Sequence, residues 1–265
     1  MPKESNTNQS FGNKLVDLLE SSLINYANQL TLENLQAVSG QPTALNNRSL
    51  LKPRTKYLQI ALNNNLSEAR EIIRQLPQSE KIIIEAGTPL IKIYGLNAVR
   101  EIKSASPLSY IIADAKISDL ARREVEMFAG AGANAVTCLG VAPLETIEEF
   151  IDACENYQVD SMLDMMNVDS AISVLKKLKK LPKVVILHRG VDETELSKEK
   201  TIPYYQIKQI KGSFDLIVAV AGGDTPLEIK SAFFNDADIV VVWKNFMNAD
   251  ENIGELAKSF LKEIR

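Results

Sequence analysis

The amino-acid sequence predicts an α/β protein, a compact (β/α)8 TIM barrel with an N-terminal helical extension. From residue 57 onward, short apolar runs of strand length alternate with amphipathic stretches of helical period. The strand runs are apolar almost throughout, which is typical of a parallel sheet buried on both faces. Eight such units within residues 56–265 fit a closed barrel better than an open doubly wound sheet.

Each predicted strand is followed along the chain by a predicted helix. The strands are 57–62, 81–85, 110–113, 134–138, 159–163, 183–187, 214–220 and 238–242. The helices are 66–75, 90–103, 119–131, 144–156, 168–180, 202–211, 226–234 and 252–264. The strand 159–163 has the weakest pattern, because an aspartate and a serine interrupt its apolar residues. The short spacing of the units predicts a barrel with few insertions.

Residues 1–55 differ in character from the barrel segment, since they are rich in Asn, Gln and Ser. Apolar residues at spacings of three and four predict a helix at about 12–29, and a second short helix is predicted at 32–38. The chain therefore divides into a predicted helical extension, 1–55, and a predicted catalytic barrel, 56–265. The extension is either a regulatory or oligomer-forming arm, or a packing segment that covers one end of the barrel.

The composition is that of an ordinary globular protein, with 45% hydrophobic and 24% charged residues in a chain of 265. A net charge of −4 and a pI near 5.3 argue against nucleic acid or an anionic membrane as the main partner. No apolar run approaches the ~18 residues of a membrane span, and the polar N-terminus lacks the apolar core of a signal peptide. Nothing requires a disulfide between Cys138 and Cys154, so we expect a cytoplasmic protein.

Polar residues at the ends of the predicted strands are the candidates for function, because barrel chemistry lies at the C-terminal ends of the strands. The ionisable residues at these ends are Glu85, Asp114, Lys116, Asp164 and His188. On its own, the spacing of Asp114, Lys116 and Asp119 is more typical of a helix N-cap beside a surface ion pair. A packed core gives no reason for ionisable groups at nearly every strand end, so a functional rim is favoured.

These residue types indicate chemistry on a carbonyl compound. Glu85, Asp114 and Asp164 offer the hard oxygen ligands that Mg²⁺ prefers. A bound ion would polarise a carbonyl and an adjacent hydroxyl and stabilise an enediolate. Lys116 between two aspartates would stay charged beside the reacting carbon. His188 is the only histidine; such a residue is more often structural, but at a strand end it is a candidate proton shuttle.

A turn of two glycines, Gly222 and Gly223, follows the seventh predicted strand and leads into a helix. Backbone amides in such a turn can hold a phosphate, although a glycine pair also serves as a plain tight turn. Together with the rim, this turn suggests that the substrate is a sugar phosphate.

Five segments in this order resemble the orotidine-monophosphate-decarboxylase suprafamily: 59–62, 84–91, 113–119, 188–190 and 219–223. Within the suprafamily they resemble the group of 3-hexulose-6-phosphate synthase and 3-keto-L-gulonate-6-phosphate decarboxylase. The resemblance covers about residues 57–265. It implies a lyase that uses Mg²⁺ or Mn²⁺, acts on a sugar phosphate and forms a homodimer with shared active sites.

The resemblance also implies a role for each matched residue. Glu85 and Asp114 match metal ligands, and Lys116 matches a lysine beside the enediolate. Asp119 matches an aspartate that reaches into the partner's active site, and His188 matches a histidine that transfers protons. The implied catalytic residues are thus Lys116, Asp119, His188 and Asp114, and the implied substrate-binding residues are Asn63, Glu85, Asp164, Arg189, Gly222, Gly223 and Lys244.

Four positions separate the two sister activities in this resemblance. Where the decarboxylases have Glu, Arg, Thr and Arg, this chain has Asp164, Val191, Ala221 and Asn245. The first three favour the synthase, an aldehyde-lyase that condenses formaldehyde with ribulose 5-phosphate, and the fourth differs from the arginine of the decarboxylases without matching the alanine of the synthases. A decarboxylase acting on orotidine 5'-phosphate or a ketogulonate phosphate is the first alternative.

The second alternative is a non-catalytic paralogue that binds a phosphate ligand. It is favoured by two departures from the family's pattern. The first strand ends in Asn63 where the family has an aspartate, and 243–245 replaces a stretch with a glycine that lets backbone amides approach the phosphate. Lys244 in that stretch either replaces the amide contacts with a point charge or fills the pocket.

Overall fold

The structure is a computed structural model that describes residues 51–196, 202–222, 225–247 and 252–264. Its strands are β1 (Tyr57–Leu62), β2 (Ile82–Ala86), β3 (Tyr110–Ile117), β4 (Ala135–Leu139), β5 (Asp160–Asp164), β6 (Val184–His188), β7 (Ile217–Ala221) and β8 (Ile239–Val242). All pair in parallel in sequence order, and β1 also pairs with β8, so the sheet closes. The predicted (β/α)8 barrel is confirmed.

Helices follow the strands on the outside of the barrel. They are α1 (Leu66–Gln75), α2 (Thr88–Tyr94), α3 (Leu96–Ala105), α4 (Ala121–Gly130), α5 (Leu144–Asn156), α6 (Ala171–Leu175), α7 (Val191–Leu196), α8 (Tyr205–Ser213), α9 (Pro226–Phe234) and α10 (Ile253–Glu263). A 3-10 helix, Lys244–Phe246, follows β8. No helix among the described residues is both long enough and apolar enough to cross a membrane.

Alternation along the strands divides the buried side chains into two layers, because successive residues of a strand point to opposite faces. Leu58, Ile60 and Leu62 belong to the large cluster between the barrel and its helices. The alternate set, which includes Tyr57 and Ile83, forms a smaller cluster on the barrel axis. Burying each such side chain contributes roughly 1.5–3 kcal/mol, which is why the strand runs are apolar on both faces.

The same alternation places the polar residues at one end of the barrel interior. Ile83, Ile112, Met162 and Ile186 lie in the axial cluster, and two residues further along each strand the chain carries an ionisable side chain that lines a cavity: Glu85, Asp114, Asp164 and His188. The body of the barrel is therefore apolar and its C-terminal end is charged.

Asp160 explains the weak pattern of the predicted fifth strand. Its Oδ2 accepts hydrogen bonds from the backbone N–H of Leu51 (2.8 Å) and from the Tyr110 hydroxyl (2.7 Å). The neighbouring Ser161 accepts one from the backbone N–H of Lys183 (3.0 Å). Burial raises the pKa of Asp160 above its ordinary value, and the two donors compensate for taking this carboxyl out of water. The hydrogen bonds of Asp160 thus connect the backbone of Leu51 to the axial core.

Two predicted helices differ from the structure. The predicted helix 90–103 is two helices, α2 and α3, divided at Gly95, whose φ of 58° lies in the left-handed region that favours glycine. The predicted helix 168–180 is reduced to α6, and its backbone continues as turns. Because the short helix α7 after β6 has little apolar periodicity, the sequence does not predict it.

The predicted helices 12–29 and 32–38 lie outside the described residues, as does most of the predicted extension 1–55. Leu51 lies within the predicted extension, and its side chain belongs to the axial cluster of the barrel.

Candidate active site

The C-terminal end of the barrel encloses a cavity of about 270 Å³. All eight strands contribute to its wall, and so do the loops after β6 and β8. The sequence-predicted residues that line it are Asn63, Glu85, Asp114, Lys116, Asp164, His188, Arg189, Gly222 and Lys244. Gly223 lies outside the described residues.

Lys116 has an unusual backbone conformation at the end of β3. Its φ is 49°, in the left-handed region, and the pairing of β3 with β4 is irregular between Ala113 and Ile117. The backbone N–H of Lys116 donates to Thr137 Oγ1 on β4 (2.9 Å). A left-handed conformation costs a residue with a side chain about 1–3 kcal/mol, and such strain persists only where its surroundings enforce it. Here it directs the lysine side chain into the cavity.

The Lys116 ammonium lies between two carboxylates. Its Nζ is 3.0 Å from Asp114 and 2.9 Å from Asp164. Burial opposes the charge of the amine, but the two carboxylates outweigh burial and raise the pKa of Lys116 above its ordinary value. Lys116 is therefore a fixed positive charge in the cavity and not a base.

Asp164 is 1% exposed and joins Lys116 to the histidine. It accepts from Lys116, from His188 Nδ1 (2.7 Å) and from the backbone N–H of Met166 (2.9 Å). Burial by itself would raise the pKa of Asp164, but His188 and then Lys116 lower it to about 2. An ionised carboxylate only accepts, so His188 carries its proton on Nδ1 and leaves Nε2 for the cavity.

Glu85 and Asp114 form a pair of buried carboxyl groups on neighbouring strands. Burial, and next the negative charge of Asp114, raise the pKa of Glu85 to about 8. Asp114 accepts hydrogen bonds from the hydroxyls of Thr88 and Thr137. A cation between the two carboxyl groups would relieve their repulsion, and Mg²⁺ is commonly held by one or two carboxylates plus water and substrate. The described residues contain no group of three or more His, Cys, Asp or Glu that would enclose a metal ion. The pair thus fits an ion that shares its coordination with a substrate.

Asp119 is exposed and does not line this cavity. Its Oδ1 accepts from the backbone N–H of Leu120 (2.8 Å). The helix α4 begins at Ala121, and its N-cap residue is Leu120, with a φ of 52° and no side-chain cap. The helix predicted to begin at Asp119 thus begins two residues later, and the interpretation of Asp119 as its N-cap is wrong.

The opposite side of the cavity is basic. Arg189 and Lys244 line it, and Gly222 packs against the backbone of Arg189 so closely that a Cβ would meet the Arg189 carbonyl oxygen. Lys244 Nζ lies 3.2 Å from Glu195 of α7 and 5.8 Å from the centre of the Trp243 ring. Lys244 therefore borders the cavity without filling it.

Sequence reasoning gave no role to three residues that hold the site together: Gln59, Thr88 and Thr137. Thr137 accepts from the backbone of Lys116 and donates to Asp114 Oδ1 (2.9 Å), and Gln59 donates to Glu85. The alternation of side chains along the strands could have identified two of these three residues. Gln59 and Thr137 follow the axial residues Tyr57 and Ala135 by two positions, as the ionisable residues follow theirs.

Fold and site together define a class: a (β/α)8 barrel whose C-terminal cavity combines a carboxylate pair, a buried lysine and a histidine–aspartate pair. Over residues 56–258 the chain matches the family described as orotidine 5'-phosphate decarboxylase / HUMPS. The chain belongs to this family, and the resemblance read from the sequence is confirmed.

Individual relatives and solved structures show which members of the family this chain is similar to. The chain is 38% identical over 214 residues to a bifunctional enzyme Fae/Hps of Methanosphaera stadtmanae, covering 78% of this chain and 52% of the relative. A bifunctional enzyme Fae/Hps of Methanoculleus marisnigri is 39% identical over 211 residues, covering 78% and 52%. The chain thus spans about half the length of these curated relatives.

Among solved structures, 3-hexulose-6-phosphate synthase from Salmonella typhimurium is 29% identical with a TM-score of 0.71, over 78% of this chain and 98% of that one. The structure of KGPDC from Streptococcus mutans is 22% identical with a TM-score of 0.67, over 80% of this chain and 98% of that one, and it supports the fold alone.

Proposed function

We propose that this chain is an aldehyde-lyase of the 3-hexulose-6-phosphate synthase type, which joins formaldehyde to ribulose 5-phosphate reversibly. The observation that carries the proposal is the Lys116 ammonium, held between Asp114 and Asp164 inside the cavity. A fixed positive charge there stabilises the negative charge that develops when a proton leaves the sugar's C1. The likeness to the Fae/Hps enzymes and to the Salmonella typhimurium synthase supports this assignment.

His188 and Asp164 account for the proton transfers. The Nδ1 proton stays on the ring against Asp164, so Nε2 is the ring nitrogen that is left to act as the base. Nε2 takes the proton from C1 of ribulose 5-phosphate, and the carbanion so formed attacks the formaldehyde carbon, which makes the new C–C bond. The aldehyde oxygen gains the electron pair of its broken π bond and takes the proton back from His188. The ring returns to its neutral state.

Glu85 and Asp114 are the proposed protein ligands of Mg²⁺ or Mn²⁺. The ion, when bound, would act as a Lewis acid on the oxygens of the sugar. Gln59, Thr88 and Thr137 keep the two carboxyl groups in place through their hydrogen bonds. The residues of the chain thus orient the ligands before an ion arrives.

The phosphate of the sugar would lie at the basic side of the cavity. Arg189 and Lys244 supply the positive charge there, and Gly222 lets the chain approach closely. Because Lys244 offers a point charge in the stretch where the family has a glycine, phosphate contacts shift from backbone amides to a side chain. Asn63 lines the same cavity and can hydrogen-bond a sugar hydroxyl.

We also propose a homodimer in which Asp119 reaches the partner's cavity. Asp119 is exposed and lies directly before Leu120, which is 62% exposed. Ile93, Met127 and Val141 are further exposed apolar side chains after β2, β3 and β4. Exposed apolar side chains on the elements that follow β2, β3 and β4 would be covered by the interface of such a dimer, and this supports the proposal.

The cytoplasm is the proposed location of this reaction. Both cysteines, Cys138 and Cys154, are buried free thiols. Free thiols suit a reducing compartment better than an oxidising one. Fractionation of cells that express the tagged protein checks this: recovery in the cytosolic fraction is expected, and recovery from an exported fraction would contradict it.

Formaldehyde consumption with ribulose 5-phosphate and Mg²⁺ tests the proposed function, comparing the wild type with Lys116→Ala. Lys180→Ala is a matched control, because Lys180 also lies between two carboxylates, Asp152 and Glu155, but on the surface. We expect activity in the wild type and in the control and a loss of about 10²-fold or more in Lys116→Ala. Equal rates in all three proteins would end the synthase assignment.

A decarboxylase is the second candidate, since the family includes decarboxylases. Asp164 favours the synthase over the ketogulonate type by the resemblance read from the sequence. The open cavity favours catalysis over a merely ligand-binding paralogue, because Lys244 borders the space and leaves about 270 Å³ free. Release of CO₂ from a ketogulonate phosphate at a higher rate than formaldehyde consumption would select the decarboxylase.

A further inference from the structure

Gln59 is a polar side chain in the middle of an apolar strand. It is 2% exposed, and it faces the barrel axis above Tyr57. Its register partner on β8 is Val241, and an apolar residue of that kind would pack at this position without any polar atom to satisfy. A glutamine buried there needs hydrogen bonds that offset its loss of water.

Within the described part of the chain, the NH₂ group of the Gln59 side chain has a hydrogen-bond partner and its carbonyl oxygen has none. Its Nε2 donates to Glu85 Oε2. Its Oε1 is buried and has no partner among the described residues. The orientation of the amide follows from chemistry, because a carboxylate that holds a cation is ionised and only accepts, and so selects the NH₂ group. The carbonyl oxygen is therefore left for a donor that the described residues do not provide.

We propose that Gln59 is a positioning residue for the metal site, and this inference rests on the proposed function. Its N–H holds one oxygen of Glu85 and fixes the plane of that carboxylate, so the other oxygen is available to the ion. Its carbonyl oxygen accepts a hydrogen bond from an O–H group bound in the cavity, which Gln59 lines together with Glu85. That group is a water on the ion or a hydroxyl of the sugar.

Contacts of this kind orient a ligand without touching the metal, and their removal typically weakens metal binding 10- to 100-fold. The test is Mn²⁺ affinity measured by calorimetry on the full chain without substrate, for the wild type and Gln59→Met. Methionine keeps the length of the side chain and removes both polar groups. We expect the dissociation constant of Mn²⁺ to rise about 10-fold or more.

Gln206→Met is the matched control, because Gln206 is also a buried glutamine with two hydrogen bonds, to the backbone of Ala171 and of Asp169. It contacts helices outside the cavity, so its loss should leave Mn²⁺ affinity unchanged. If Gln59→Met does not fold, Gln59→Leu provides the same loss of polar groups. Unchanged Mn²⁺ affinity in a folded Gln59 variant would overturn the proposal, and so would a wild type that binds no Mn²⁺.

A second arm separates the two possible donors. Ribulose 5-phosphate is titrated without formaldehyde into protein saturated with Mn²⁺. Weaker sugar binding by Gln59→Met under these conditions assigns the O–H to the sugar, and unchanged sugar binding with weakened metal binding assigns it to water. Both results support the positioning role. Because Mn²⁺ binding needs no turnover, a wild type that binds the ion but consumes no formaldehyde refutes the proposed function and leaves the role of Gln59 standing.

Discussion

Replacing Asp164 by asparagine removes the one carboxylate that contacts both Lys116 and His188. The pKa of Asp164 is lowered from 3.8 to about 2. At about 1.4 kcal/mol per pKa unit, the ionised form contributes on the order of 2 kcal/mol to folding at neutral pH. The variant Asp164→Asn should therefore have a free energy of unfolding lower by about this amount.

The loss of unfolding free energy in Asp164→Asn should be larger at neutral pH than in acid. A carboxylate whose pKa is lower in the folded than in the unfolded state stabilises the fold above its unfolded pKa, and the contribution fades as the pH falls through the folded value. The difference between wild type and Asp164→Asn should be full above about pH 4 and should shrink toward about pH 2. Urea denaturation of both proteins across this range measures it.

Asp152→Asn is the control for the loss of an exposed aspartate, since Asp152 pairs with Lys180 on the surface. Its effect should be smaller, because solvent screens exposed ion pairs. A difference between wild type and Asp164→Asn that stays constant from neutral to acid pH would refute the account of Asp164 as a buried, ionised acceptor.

Further predictions concern the residues around the cavity. Thr137→Val should lower the free energy of unfolding by about 1–3 kcal/mol and reduce activity, because the backbone N–H of Lys116 loses the Thr137 hydroxyl as its acceptor. Urea denaturation and rate measurements check this, and wild-type values would contradict it. Glu195→Gln should lower the KM for the phosphorylated sugar by releasing Lys244, and a raised or unchanged KM would show that the ion pair does not compete with phosphate. The Cys138 and Cys154 thiols should not react with a thiol reagent at about pH 8 until the protein unfolds. The reason is that burial raises the pKa of Cys138 to about 12 and the pKa of Cys154 well above its ordinary value. Prompt labelling of the folded protein would contradict the structure.

The apolar strand runs predicted the barrel because a parallel sheet covered on both faces leaves few polar positions within its strands. The same runs located Glu85, Asp114, Asp164 and His188, since each stands at or just after the end of an apolar strand run. The sequence contained only a weak indication that the predicted helix 90–103 is divided at Gly95. A glycine in a helical pattern is tolerated often enough that its left-handed φ shows only in the structure.

Contacts between distant segments could not be predicted from the sequence. The left-handed backbone of Lys116 depends on Thr137, which lies on the next strand and 21 residues away. The pairing of Lys244 with Glu195 likewise joins two short helices, at positions 49 residues apart in the chain. Local propensity carries no information on such pairs, because they exist only once the barrel has closed. For the same reason the sequence assigned Asp119 to a helix start that the folded chain places at Ala121.

The central claim is that Lys116 and the cavity around it stabilise the loss of the C1 proton of a sugar phosphate. Proton NMR of ribulose 5-phosphate in D₂O, with Mg²⁺ and without formaldehyde, measures this step directly. We expect the wild type to exchange one of the two C1 protons for deuterium and Lys116→Ala, folded as judged by its urea transition, to exchange neither. A C1 signal of undiminished area with the wild type, or equal exchange by both proteins, would contradict the claim.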